Sequence, residues 1–191
     1  MARVDEREWL IQAQQGDGTA FAELVRRHQT AVFNVAYRLL GRRQDAEDVT
    51  QEAFMCAYRA LDTFDVERPF APWIKRITTN LCYNWLNKER TRPTVFAADL
   101  SREGEEAADF EELAKSPTTP EQTLTKAEQA DQVRAALLQL PPRYRVVVEL
   151  RHFQDLSYAE IAEIVKRPLS TVKSDLFRGR KKLAALLRNG N

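Results

Sequence analysis

The side chains best placed to do chemistry in this 191-residue chain are cations, amides and hydroxyls, not nucleophiles or metal ligands. Residues 173–188 hold six cations and one acid, Asp175. On a helical projection of roughly 100° per residue, Ser170, Ser174, Phe177, Arg178 and Lys181 share one side, with Lys173 at its border. Val172, Leu176, Leu183 and Leu187 share the other. One side packs, while the other offers hydroxyls and cations to base edges and phosphates in a DNA major groove. A second division of this kind runs along residues 72–90. Ile74, Ile77, Leu81 and Trp85 make an apolar stripe; Arg76, Asn80, Tyr83, Asn87 and Arg90 lie opposite, flanked by Trp73 and Asn84. An amide bonds bidentately to a base edge, a guanidinium holds phosphate and an aromatic ring stacks on an unpaired base, so this face suits partly opened nucleic acid. A half-buried Tyr83 beside solvated amides is the plain alternative.

Other chemistries lack their residues. The two cysteines, Cys56 and Cys82, and the two histidines, His28 and His152, stand far apart in the chain. Their spacing suits neither a zinc site nor a disulfide framework, and free thiols in a reducing compartment are expected. There is no Gly-rich phosphate loop, paired histidine or nucleophile elbow, so neither an enzyme nor a bound metal or cofactor is expected. No apolar run reaches 18 residues, and Asp5 and Glu6 sit where a signal peptide would carry its apolar core. The chain is therefore expected in the cytoplasm, without membrane contact.

Helices must position these faces. Apolar spacing is helical nearly throughout and no stretch alternates cleanly, so the expected fold is all-α. A short helix over 5–15 stops at Gly16-Asp17-Gly18, and a long one from Thr19 is closed by Gly41. A third helix opens near Asp45 as its cap and runs to about Leu61. Residues 62–69 read as a loop, and Pro72 falls in the first turn of a fourth helix reaching about Arg90. Residues 93–120 lack a period and read as a flexible acidic linker. Helical spacing resumes near Leu124. Ser157 and Glu160 then form a capping box ahead of a short helix, a turn at Lys166-Arg167-Pro168 and a long basic helix. Two helices so closely joined make a helix-turn-helix, with Lys166 where many such turns place Gly. The expected organisation is two small helical domains, 1–92 and 121–191, joined by the linker. The net charge of +1 conceals this division: residues 1–95 carry +1, residues 96–131 carry −7 and residues 132–191 carry +7. Such asymmetry often accompanies nucleic-acid contact.

Three motifs in order carry a resemblance. Asp45-Ala46-Glu47-Asp48-Val49-Thr50-Gln51-Glu52-Ala53-Phe54 resembles the polymerase-binding helix of bacterial RNA polymerase sigma factors of the extracytoplasmic-function (ECF) class. Pro72-Trp73-Ile74-Lys75-Arg76-Ile77-Thr78-Thr79-Asn80 is similar to that family's promoter-melting helix. Leu140-Pro141-Pro142-Arg143-Tyr144-Arg145 with Leu156-Ser157-Tyr158-Ala159-Glu160-Ile161-Ala162 is similar to its C-terminal domain.

The resemblance implies roles. Asp45, Asp48, Gln51 and Glu52 would meet the coiled coil of core RNA polymerase's largest subunit, and the second domain would lie near the polymerase flap region. The loop from Phe64 to Arg68 would receive a flipped base of the minus-ten element, while Arg76, Asn80, Tyr83, Asn84 and Asn87 hold the opened strand. Ser170, Thr171, Lys173, Ser174, Phe177, Arg178 and Lys181 would read the minus-thirty-five element. The linker would thread polymerase channels, where its acids could mimic phosphate or simply remain solvated. An anti-sigma protein is an implied partner beside core polymerase and promoter DNA. A stand-alone helix-turn-helix regulator with an N-terminal ligand-binding or partner-binding domain is the alternative. It leaves the acidic third helix and the amide-rich fourth helix without a common purpose.

Overall fold

The computed structural model describes residues 6–91 and 126–189. The expected linker lies outside them, as does the side chain of Arg90. Asp17 starts a helix by accepting hydrogen bonds from the Thr19 and Ala20 amides, at 2.8 and 3.4 Å. The Thr19 hydroxyl also donates to it, and these bonds hold its carboxyl below the usual range. Gly41 ends the same helix in the left-handed region at φ 80°, donating its amide to the Tyr37 carbonyl. Between these caps runs α2 (Gly18–Leu40), preceded by α1 (Glu6–Gln14) and followed by α3 (Arg43–Ala60). A 3-10 turn (Leu61–Thr63) and a short loop lead to α4 (Phe70–Thr91), with Pro72 in its first turn as expected.

The second set comprises α5 (Lys126–Gln139), α6 (Pro142–His152), α7 (Tyr158–Val165) and α8 (Leu169–Asn189). No strand occurs among the described residues, so the chain is all-α, with two helical domains. The start of α3 differs from expectation. Arg42, not Asp45, holds the capping position and makes no side-chain cap bond. Asp45 sits one turn inside, where its charge still favours the positive helix end.

Two apolar clusters hold the molecule. The first packs Leu10, Leu24, Val32, Phe54, Phe70 and Ile74 among α1–α4. The second is shared: Val35, Leu39, Cys82 and Leu86 from the N-terminal helices lie with Leu137, Leu140, Val148, Ile161 and Leu176 from the C-terminal ones. Burying a large apolar side chain contributes roughly 1.5–3 kcal/mol. The two domains therefore meet along a continuous apolar seam.

Candidate functional site

The C-terminal face is built from its caps upward. Ser157 Oγ accepts the Glu160 amide at 3.3 Å, and the Glu160 carboxylate accepts the Ser157 amide at 2.8 Å, completing the expected capping box. Losing such a cap costs about 1 kcal/mol. At its other end α7 stops on Lys166, held at φ 52° and ψ 49° in the left-handed region. A lysine does there what Gly does more cheaply. Pro168 follows, and α8 begins at once.

Asp175 ties the turn to the helix. It lies buried on the inner flank of α8, and Arg167 Nη1 donates to its Oδ2 at 3.0 Å. Burial pushes its carboxyl upward, against the opposing pull of Arg167. Gly179 marks where α8 crosses α6. A Cβ there would stand 2.9 Å from Val148 Cγ2 and 3.2 Å from Tyr144 Cβ. With this inner side fixed, Ser170, Lys173, Ser174, Phe177 and Lys181 are exposed along the outer side, and Thr171 and Arg178 are half-buried beside them. Phe177 is 41% exposed on this outer side. The packing stripe is shorter than expected. Val172 and Leu176 are buried and Leu183 half-buried, but Leu187 is 36% exposed. It stands in the last turns of α8.

On α3, Asp48, Gln51 and Glu52 are exposed on one side, while Asp45 is half-buried, its Oδ2 3.6 Å from Arg42 Nε. Two apolar neighbours escaped the sequence reading. Met55 is 54% and Tyr58 47% exposed, and they line a shallow groove with Gly18, Phe21, Phe54 and Arg59. The signal was available: Met55 follows Asp48, Gln51 and Glu52 at spacings of seven, four and three, which place it on their face. Charged rims around apolar anchors are the usual anatomy of a protein–protein contact.

The loop before α4 corrects one expectation. Phe64 is buried, its ring 4.5 Å from Trp73 and 5.9 Å from Phe70 between centroids. A ring so enclosed supports the loop and presents no free face to a base. Arg68 remains exposed, 3.4 Å from Asp65.

Along α4 the buried arc is wider than the expected stripe. Phe70 and Ile74 face the first cluster, whereas Cys82 and Leu86 join the shared one and Thr79 is buried as well. At ~100° per residue this arc covers about half the helix, because the second domain packs on the side between the apolar stripe and the polar set. The polar set does fall on one side: Arg76, Asn84 and Asn87 are exposed, and Asn80 and Tyr83 half-buried. Part of it touches α6 and α7. Arg76 lies 3.7 Å from Glu163, the Tyr83 hydroxyl 3.5 Å from the Val165 carbonyl, and Gln154 donates to Thr79 Oγ1 at 2.9 Å.

Comparison with known proteins places the chain in a family. The sequence matches "Sigma-70 region 2" over residues 24–92 and "Sigma-70, region 4" over residues 130–183. It is 34% identical to the ECF RNA polymerase sigma factor SigW of Bacillus subtilis, over 93% of this chain and 94% of that one. It is 37% identical to the ECF RNA polymerase sigma-E factor of Escherichia coli, over 87% and 86% of the two chains. Among solved structures, CnrH in complex with the cytosolic domain of CnrY superposes with a TM-score of 0.58 at 26% identity, covering 97% and 99% of the chains. The sigma factor RpoE of Bartonella quintana, solved with the anti-sigma factor NepR, shares the fold at a TM-score of 0.57 and 21% identity, covering 88% and 96%. With the region 2 match falling on the N-terminal helices, the region 4 match on the helix-turn-helix, and relatives above 30% identity spanning most of both chains, the chain belongs to the RNA polymerase sigma factors of the ECF class.

Proposed function

We propose that the chain gives core RNA polymerase its promoter choice through three separate faces and carries out no covalent chemistry itself. As a sigma factor it binds core polymerase and directs it to promoters. The finer assignment is as follows. The α3 face of Asp45, Asp48, Gln51 and Glu52, with Met55 added, grips the polymerase coiled coil. Arg76, Asn80, Tyr83, Asn84 and Asn87 on α4 hold the opened minus-ten strand, with Arg68 at the loop. The α8 set, Ser170, Thr171, Lys173, Ser174, Phe177, Arg178 and Lys181, reads the minus-thirty-five duplex. The chain works in the cytoplasm beside polymerase, and no helix among the described residues is long and apolar enough to cross a membrane. An anti-sigma protein is its expected inhibitor; the resemblance supports this, as does CnrH having been solved with the cytosolic domain of CnrY.

The observation that carries the reading is the outer side of α8, cationic and hydroxyl-bearing, rigidly presented by a capped helix and the Arg167–Asp175 pair. Footprinting of the chain with core polymerase on a selected promoter tests it. Protection is expected at both promoter elements, and Arg178→Ala should lose the upstream half first, since a base contact is worth ~1–3 kcal/mol. Unchanged upstream protection contradicts the assignment.

A further inference from the structure

The loop that leads into α4 is held from behind by α1. Gln14, in the last turn of α1, uses both hydrogens of its side-chain amide. Its Nε2 donates to the Leu61 carbonyl and to the Phe64 carbonyl, at 2.8 Å each. These two oxygens bound the 3-10 turn, whose own bond runs from the Phe64 amide to the Leu61 carbonyl at 2.9 Å. Buried or half-buried carbonyls need donors, and among uncharged side chains only Asn and Gln carry two on one atom. Gln14 lies 47 and 50 residues from its two partners in the chain, so no local pattern announces the contact. At the other end of α1, Arg7 pairs with Glu67 of the same loop.

Beyond Phe64 the loop folds on Asp65. Asp65 Oδ1 accepts the Glu67 amide at 3.0 Å, its carbonyl accepts the Arg68 amide at 2.9 Å, and its Oδ2 lies 3.4 Å from Arg68 Nε. The Phe64 ring, packed on Phe70 and Trp73, fixes where this turn begins. The exposed Arg68 thus ends a chain of contacts that starts at Gln14. We propose that Gln14 is a positioning residue for strand recognition: through the Leu61 and Phe64 carbonyls it sets where the loop offers Arg68 to the opened minus-ten strand. The inference rests on the strand-holding role proposed for that loop. Gln14 is half-buried behind the loop and acts through it. An unsupported loop samples several backbone states, and binding would have to select one of them. Support of this kind holds a recognition residue within ~0.5 Å of its working place before the ligand arrives. It also gives a part to α1, which carries none of the residues assigned to polymerase or DNA.

The test uses the chain assembled with core polymerase and two promoter probes, a fork whose minus-ten strand is unpaired and the same DNA fully paired. Wild type should prefer the fork. Gln14→Ala and Arg68→Ala should each cut that preference roughly threefold or more, and the double variant should cut it no further than Arg68→Ala alone. Affinity for core polymerase should stay within about twofold, since α3 is untouched. A general weakening of the fold would instead lower binding to polymerase and to both probes, and would add to the effect of Arg68→Ala. Gln14→Glu keeps the shape but sets oxygen against oxygen, so it should match Gln14→Ala. Amide hydrogen exchange at Glu67 and Arg68 of the free chain should run roughly tenfold faster in Gln14→Ala. If Gln14→Ala loses helical ellipticity, Gln14→Met carries both measurements. An unchanged fork preference in Gln14→Ala beside a reduced one in Arg68→Ala overturns the proposal, and so do an additive double variant and unaltered exchange. An unchanged preference in Arg68→Ala overturns instead the strand-holding role of the loop.

Discussion

Lys166 and His152 show how individual residues tune the promoter-reading domain. A non-glycine residue in the left-handed region costs roughly 1–2 kcal/mol, partly offset by the lower chain entropy lost compared with Gly. Lys166→Gly should therefore raise stability by about 0.5–1 kcal/mol and the Tm by roughly 1–4 °C in calorimetry. A lower Tm would mean that the lysine side chain contributes a contact of its own. His152 accepts a hydrogen bond from Arg180 Nε at 2.8 Å, joining α6 to α8. Partial desolvation, then the Arg180 and Arg151 charges, hold its pKa below the ordinary histidine value. The folded state thus binds fewer protons than the unfolded chain as pH falls through the histidine range, so stability is lost on acidification. Urea midpoints should fall from about pH 7.5 to about pH 5.5, and fall less for His152→Gln. Parallel curves for the two proteins would remove His152 from the account.

Among the elements, the proposed division assigns recruitment to α3 and strand opening to α4, so substitutions on each should separate the two steps. Met55→Glu is expected to weaken core polymerase binding by more than ~1 kcal/mol in a competition assay, because it places a charge in an apolar anchor position. Asn80→Ala should leave that affinity within twofold while reducing strand opening, read by permanganate reactivity of promoter thymines; equal opening would release Asn80 from its role. The helices were largely legible in sequence, since caps such as Ser157–Glu160, the stop at Gly41 and Pro72 in a first turn are local signals. The misreadings have non-local causes. Thr79 and Leu86, in neither of the two sets read from sequence, are buried because a second domain packs beside the apolar stripe of α4, while Cys82 is a free buried thiol as expected. Phe64 is enclosed by Phe70 and Trp73, which arrive only when α4 folds back. Asp45 yields the capping position to Arg42 because α3 starts three residues earlier than a cap at Asp45 requires. Met55 was missed for a different reason: an apolar residue on a helix is read first as core.

At the scale of the whole molecule, the charge division along the chain has a structural counterpart. The +7 of residues 132–191 belongs to the domain that carries α8, and the carboxylates that survive there are mostly engaged. Glu149 pairs with Arg38, Asp175 with Arg167 and Glu160 with the Ser157 amide, leaving the outer side of α8 cationic. The same packing that buries Glu149 brings Arg76 and Tyr83 of α4 against α7. Bound to core polymerase, the chain directs it to chosen promoters and promotes their opening. Permanganate mapping on promoters selected with the reconstituted holoenzyme tests it most directly. Reactive thymines confined to the minus-ten region are expected with core polymerase and the chain together, and with neither alone. Uniform or absent reactivity, with the chain demonstrably bound to polymerase, would contradict the account.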